Sequence, residues 1–199
     1  MASLVQIANR ALSKVGAARI ISLSDDNKQA RAVASCIYDI IDDELRTGRW
    51  QFAMRRVELP ALAQAPAFGY KYQYQVPADF LRIDMVNNEF PAAVMSDYIG
   101  EEILDWTLEG NVVLSNAASP MKLRYVASVQ DPAQWDSNFR EAVASRTAME
   151  ICEELTQSNE KKSFAQADYR RAITRAIRTG AIERLPVVPP DNTWILSRL

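Results

Sequence analysis

The chain has 199 residues, is 48% hydrophobic and 24% charged, and carries a net charge of −2, the balance of a globular protein with one core or one core plus an inserted subdomain. It contains no histidine, so triads, zinc hydrolysis and histidine-gated sensing lose their usual residue. No apolar run approaches the roughly 20 residues that cross a bilayer, residues 1–16 lack a signal peptide's basic start and apolar block, and the slight acidic excess speaks against a dedicated duplex-DNA binder.

A first helix is predicted over 3–15, with Ser3 as N-cap, Gly16 as its stop, and Leu4, Ile7, Ala8, Ala11 and Leu12 on one face. A second, continuous helix is predicted over 27–46. Ser24 or Asp25 caps it, Asp25 and Asp26 complement its dipole, and Ala30, Val33, Ala34, Ile37, Ile40, Ile41 and Leu45 form its stripe. Cys36 and Cys152 fall on separate predicted helices without a CxxC partner and read as structural thiols.

From Trp50 to about Ala127 the helical period gives way to short strand-like runs separated by Pro, Gly and Asn. Strands are predicted at 51–59, 70–76, 80–86, 112–115 and 122–126, with weaker candidates at 92–95 and 103–108. Gly110-Asn111 reads as a hairpin turn, and Pro77 as a break because it cannot donate to a ladder. Tyr70, Tyr72 and Tyr74 alternate with Lys71, Gln73 and Gln75. That pattern describes a half-buried strand whose rings pack against other strands while the polar residues face water. The rival use of such rings is a stacking platform for bases or sugars.

Helical period resumes at Asp131-Pro132, read as a cap and first turn, and continues to 157 with Ala144, Ala148, Ile151, Cys152 and Leu155 on one face. A fourth helix is predicted over 160–179, with Ala165, Tyr169, Ala172, Ile173 and Ala176 inward and Gly180 at its end. Lys161, Lys162, Arg170, Arg171, Arg175, Arg178 and Arg184 give this helix and its exit a basic face, of which Arg170, Arg171, Arg175 and Arg178 are the candidate contact residues. Such a face is either a contact surface or merely solvated. The last segment has three prolines and no helical period. It is expected to be an extended arm that orders on binding, with Pro189, Pro190, Trp194, Ile195 and Leu196 as its docking residues.

These elements make an α+β fold. A four-helix bundle from the N- and C-terminal helix pairs (1–49 and 128–184) carries an inserted, mainly antiparallel β subdomain (50–127) and an extended C-terminal arm (185–199). The acidic runs Asp42-Asp43-Glu44, Glu101-Glu102 with Asp105, and Glu153-Glu154 could supply a glycosidase pair or a cation site. Sequence neighbours on a helix diverge, however, and the ligand spacing of a calcium loop is missing, so surface charge is the better reading. No catalytic, cofactor or metal residue emerges.

Residues 7–59, 65–83 and 123–155 together resemble the tail tubular protein A family, the adaptor or gatekeeper proteins of the head-to-tail connector in short-tailed bacteriophages. The resemblance rests on order and spacing: a first helix ending in Gly16, and a second ending at the aromatic pair Trp50 and Phe52. There follow "YQVPADFLR" at Tyr74, "LRY" at Leu123 and "DPAQWDSNF" at Asp131. It implies a structural virion protein made in the host bacterial cytoplasm. It also implies a ring, a dodecamer, seated between the portal protein and a tail nozzle of the tail tubular protein B kind. Genomic DNA would pass through its bore without sequence-specific binding, with no membrane partner and no catalytic residues. Two other classes remain open: a virion-associated glycan-binding or glycan-hydrolysing protein using the β insert, and a DNA-binding regulator using the basic helix.

Overall fold

A computed structural model describes residues 3–87 and 106–182. The chain is α+β, with five α-helical segments and two three-stranded antiparallel sheets among the described residues. The predicted strands at 92–95 and the arm from 185 onward, with Pro189, Pro190, Trp194, Ile195 and Leu196, lie outside them, as do Glu101, Glu102 and Asp105.

Helix α1 (Leu4–Val15) begins with a complete capping box between Ser3 and Gln6 and ends at Gly16, whose φ of 76° supplies the left-handed turn. Ala17 then donates its N–H back to the carbonyl of Leu12. Asn9 pins the following loop by accepting from the N–H of Ile20 and donating to its carbonyl, both at 2.8 Å.

The predicted second helix is broken in two, α2 (Lys28–Ala34) and α3 (Ile37–Thr47). Ser35 Oγ donates to the carbonyl of Ala32, and Cys36 Sγ lies against the carbonyls of Ala32 and Val33. Side chains that bond backward in this way compete with the backbone ladder and bend helices. The cap of α2 is Asn27, not Ser24 or Asp25. Asp25 instead accepts the N–H groups of Ile21 and Ser22 and closes the preceding turn.

Strand β1 (Met54–Leu59) follows a 3-10 turn at Gln51–Ala53 that the sequence reading had placed in the strand. The first sheet has the order β1-β6-β3, with β3 at Phe80–Val86 and β6 at Met121–Ala127. The second has the order β2-β5-β4, with β2 at Tyr72–Gln75, β4 at Trp106–Glu109 and β5 at Val112–Ser115. The predicted antiparallel β subdomain is therefore built, among the described residues, from two sheets. Gly110, at φ 58°, turns β4 into β5 as the Gly-Asn pair predicts.

Helix α4 (Ser137–Thr156) starts later than predicted. Asp131 caps only a 3-10 turn at Pro132–Gln134, and Asp136 caps α4 by accepting from the N–H of Phe139. The interruption turns Trp135 inward, where its indole N–H donates to the carbonyl of Val129 at 2.7 Å. Helix α5 (Asn159–Ile182) runs through Gly180. A mid-helix glycine costs only about 1 kcal/mol relative to alanine, too little to stop a helix unless a left-handed turn is taken.

Helix α4 is the hub. It packs against α1, α2, α3 and α5 and buries Ala142, Ala144, Ser145, Thr147, Ala148, Ile151 and Cys152 around most of its circumference, leaving only a narrow exposed strip that includes Glu150, Glu153 and Glu154. Its alanines let the neighbouring helices come close. One apolar cluster continues from these helices through Leu45, Trp50 and Phe139 into Leu123, Val126, Tyr74 and Val113 of the two sheets.

The passage from helices to sheets is a three-residue elbow, Gly48-Arg49-Trp50. The Trp50 ring meets Phe139 edge-on at 4.8 Å, Phe52 and Trp135 each lie 5.1 Å from the same Phe139 ring, and the Trp50 indole donates to the carbonyl of Glu44 at 2.7 Å. A β-carbon on Gly48 would come within 2.4 Å of that indole, although the residue's φ of −91° is open to any side chain. Gly48→Ala is therefore expected to push the indole from its seat and lower stability by about 1–3 kcal/mol. Urea unfolding would measure this, and an unchanged midpoint would mean that the ring yields freely.

Candidate functional site

The predicted basic face is present on α5, and the helix sorts it into two stripes. Arg171, Arg175 and Arg178 recur at four and three residues and share one line along the helix, whereas Arg170 lies about a third of a turn away beside Ile177. All four are exposed. Arg171 pairs with Asp168, and that ion pair holds the Asp168 carboxyl below its usual range. Only Ala165 and Ala176 of this helix are fully buried, and Phe164, Ile177 and Ile182 remain exposed at 65%, 52% and 84%. Phe164 and Ile182 bracket the arginine stripe at its two ends.

Of the three tyrosines, only Tyr74 is a core residue. It is fully buried and donates to the carbonyl of Ala117 at 2.6 Å. Tyr70 precedes the strand and Tyr72 is partly exposed. The expectation that the rings together brace the sheet is thus corrected to one buried ring, because β2 pairs for only four residues and its outer end lies at the surface.

The first acidic run disperses as its helical geometry requires. Asp42 accepts from Ser128 Oγ at 2.6 Å and Gln130 Nε2 at 2.7 Å, stitching the exit of β6 to α3. Asp43 faces Arg146 at 3.9 Å. Glu44 is buried and accepts from the Tyr169 hydroxyl on α5. Burial pushes the Glu44 carboxyl above its ordinary range, against the pull of the Tyr169 hydrogen bond and the Arg146 charge. The same pair, through burial first and then the Glu44 contact, pushes the Tyr169 phenol up to about 12. Arg146 caps the assembly 5.2 Å above the Tyr169 ring. Glu153 pairs with Lys162 across the α4–α5 turn, while Lys28 reaches the backbone carbonyl of Glu154.

Sequence reading missed the charged cluster at the elbow. Asp84, 3% exposed on β3, gives one carboxylate oxygen to Arg49 at 2.7 Å and the other to Arg124 of β6. Arg82 donates to the carbonyl of Gly48 at 2.9 Å. No local pattern announces this cluster, since its members come from the elbow, β3 and β6. Asp84, with Arg82 the charged exceptions in a mostly apolar strand, was the one available signal.

Cys36 is half-buried, and burial together with the charges of Glu150, Glu154 and Asp39 pushes its thiol up to about 11. It is a poor nucleophile. Among the described residues no group of three or more Cys, Asp or Glu side chains is arranged to hold a metal ion, and no helix is long and apolar enough to cross a membrane. No protein-family profile matches the chain, and no curated protein matches it either.

The Glu44–Tyr169 contact gives a pH dependence. An unfolded tyrosine ionises near pH 10, and Tyr169 in the folded chain near 12. The folded state therefore keeps the proton through that window, and its advantage is complete below about pH 10 and lost as pH rises through about 12. Denaturation curves at either end of the window should show this loss for the native chain and a shallower one for Tyr169→Phe. Equal losses in the two would mean that the contact does not couple ionisation to folding.

Proposed function

We propose that this chain is a structural subunit of a phage head-to-tail connector, an adaptor of the tail tubular protein A kind. It would assemble as a ring, a dodecamer on the family pattern, between the portal and a tail nozzle, retaining DNA in the head and conducting it outward. Its finer architecture belongs to the same reading. The helical part is a four-helix bundle in which α2 and α3 count as one broken member.

The observation that carries the proposal is the outer face of α5. Large apolar side chains and arginines without an apolar cover are what protein interfaces collect, since their cores enrich aromatic, aliphatic and Arg residues. A solvated helix has no use for Phe164, Ile177 and Ile182 at such exposure. The chain's other chemistry fits an assembly role. Among the described residues Asp42, Glu44 and Asp84 are engaged in packing contacts, and the buried carboxylates of Glu44 and Asp84 hold α3 to α5 and the elbow to the sheet.

Particles test the proposal. A stop codon at Trp50 in the phage that carries this gene should yield DNA-filled heads without tails, many of them leaking, from a non-suppressing host. The native chain supplied in trans should restore tails, and a chain bearing Arg175→Glu with Ile177→Asp, both exposed positions, should not. Normally tailed particles from the stop-codon phage would overturn the reading and turn attention to activity on glycans.

A further inference from the structure

A pocket of about 280 Å³ opens where the last turn of α1 meets α4 and α5. Small residues make room for it. Gly16, Ala148 of α4 and Ala165 of α5 all line it, and the φ of 76° at Gly16 disfavours any side chain there. From α5 it receives Lys161, Phe164, Ala165 and Asp168, whose spacing puts them on one stripe of that helix.

Two polar groups in this pocket are underused. Ser145 of α4 lines it and is fully buried, yet its hydroxyl has no hydrogen-bond partner. A buried hydroxyl left unpaired is unfavourable. A helical hydroxyl ordinarily avoids that by bonding the carbonyl one turn back, as Thr147 does with Val143. Lys161 is the other. Its ammonium donates to the carbonyl of Val15 at 3.3 Å and has no ion pair among the described residues. The remaining charges of the pocket are matched. Lys14 is held by Glu141 at 2.8 Å and lies 3.7 Å from Asp168, whose other partner is Arg171.

We infer that this pocket binds a small organic monocarboxylate, with the Lys161 ammonium and the Ser145 hydroxyl donating to its oxygens and its apolar body lying against Ala148, Ala165 and the Phe164 ring. The charges select the class. Lys161 is the one lining cation without an ion pair, so a single negative charge is matched. A dianion such as a phosphate ester would meet Asp168 and the carbonyl end of α1, the negative pole of that helix, with no second free cation. An amine would be repelled by Lys161. The ligand needs an apolar body because Phe164 is 65% exposed beside two alanines, and small-molecule pockets pair an apolar lining with a few placed polar groups. Lys161 is itself exposed, and its flexible four-carbon stem can turn from Val15 toward the ligand and open the way to Ser145. The pocket belongs to a single chain, so the inference does not rest on the connector reading.

The test titrates the isotope-labelled full chain with sodium benzoate and follows the amide chemical shifts. Saturable shifts confined to residues 13–16, 145–148 and 161–168 are expected, with a Kd of about 1 mM for a ligand of this size. Lys161→Gln keeps a donor for the Val15 carbonyl but removes the charge, and should weaken benzoate about tenfold or more. Ser145→Ala should weaken it several-fold while leaving the urea midpoint of the free chain unchanged or higher, since it removes a buried hydroxyl that bonds nothing. Benzyl alcohol, which lacks the charge, and acetate, which lacks the apolar body, should both bind far more weakly. Lys122→Ala, an exposed position on the first sheet, should bind as the native chain does. The inference is overturned if benzoate gives no saturable shift by about 20 mM, or if its shifts map elsewhere on the chain. It is equally overturned if phenyl phosphate binds more tightly than benzoate, or if Lys161→Gln, folded by its amide spectrum, binds benzoate like the native chain. A serine that served packing alone would lower the midpoint on Ser145→Ala and leave binding unchanged, which also sinks the proposal.

Discussion

The indole of Trp50 lies over the backbone of Gly48 and donates to the carbonyl of Glu44, and the rest of the molecule is arranged around that contact. Each residue of the elbow has its own task. Gly48 leaves room for the ring, Arg49 carries a charge to Asp84 on β3, and Trp50 joins Phe52, Trp135 and Phe139 in one aromatic group. Since Phe139 opens α4 and Trp135 precedes it, the start of the central helix and the start of the β region are held by the same rings. Neither half can shift without breaking a buried indole hydrogen bond, and a buried donor left unpaired costs about 1–3 kcal/mol.

Glu44 extends that control to the far side of the bundle. Its carbonyl receives both Trp50 and the N–H of Gly48, while its carboxylate receives Tyr169 from α5. One residue thus ties the elbow to the outermost helix. Burying a carboxylate is unfavourable unless hydrogen bonds and opposite charge compensate, and here a phenol and Arg146 supply both. Helix α5 buries little else beyond Ala165 and Ala176, so its orientation depends heavily on Tyr169. A helix held by a narrow buried stripe and a few polar contacts leaves the rest of its circumference open to other chains.

Local chemistry was legible in the sequence, and long-range pairing was not. Ser3, Gly16 and Gly110 act where their residue types predict, because capping and positive φ are decided within a few residues. Strands β3 and β5 fall at their predicted limits because alternating burial is also local. The broken second helix escaped notice because apolar spacing continues smoothly across Ser35 and Cys36, and the bend comes from side-chain bonds that periodicity does not encode. The delayed start of α4 has a tertiary cause, the inward turn of Trp135. Arg170, Arg171, Arg175 and Arg178 were visible as a charge run on one helix. The juxtaposition of Arg56 with Arg124, and of Arg124 with Asp84, exists only once β6 has paired with β1 and β3.

The two charged regions differ in what their charges are used for. On α5 the arginines stand beside exposed Phe164, Ile177 and Ile182, so under the connector reading a partner gains from apolar burial as well as from charge, and the contact can be strong. On the first sheet the buried carboxylate of Asp84 takes Arg49 with one oxygen and Arg124 with the other, so that charge joins the elbow to β3 and β6 inside the subunit. The same residue type therefore serves cohesion within the chain at the elbow and, on α5, a surface open to another chain.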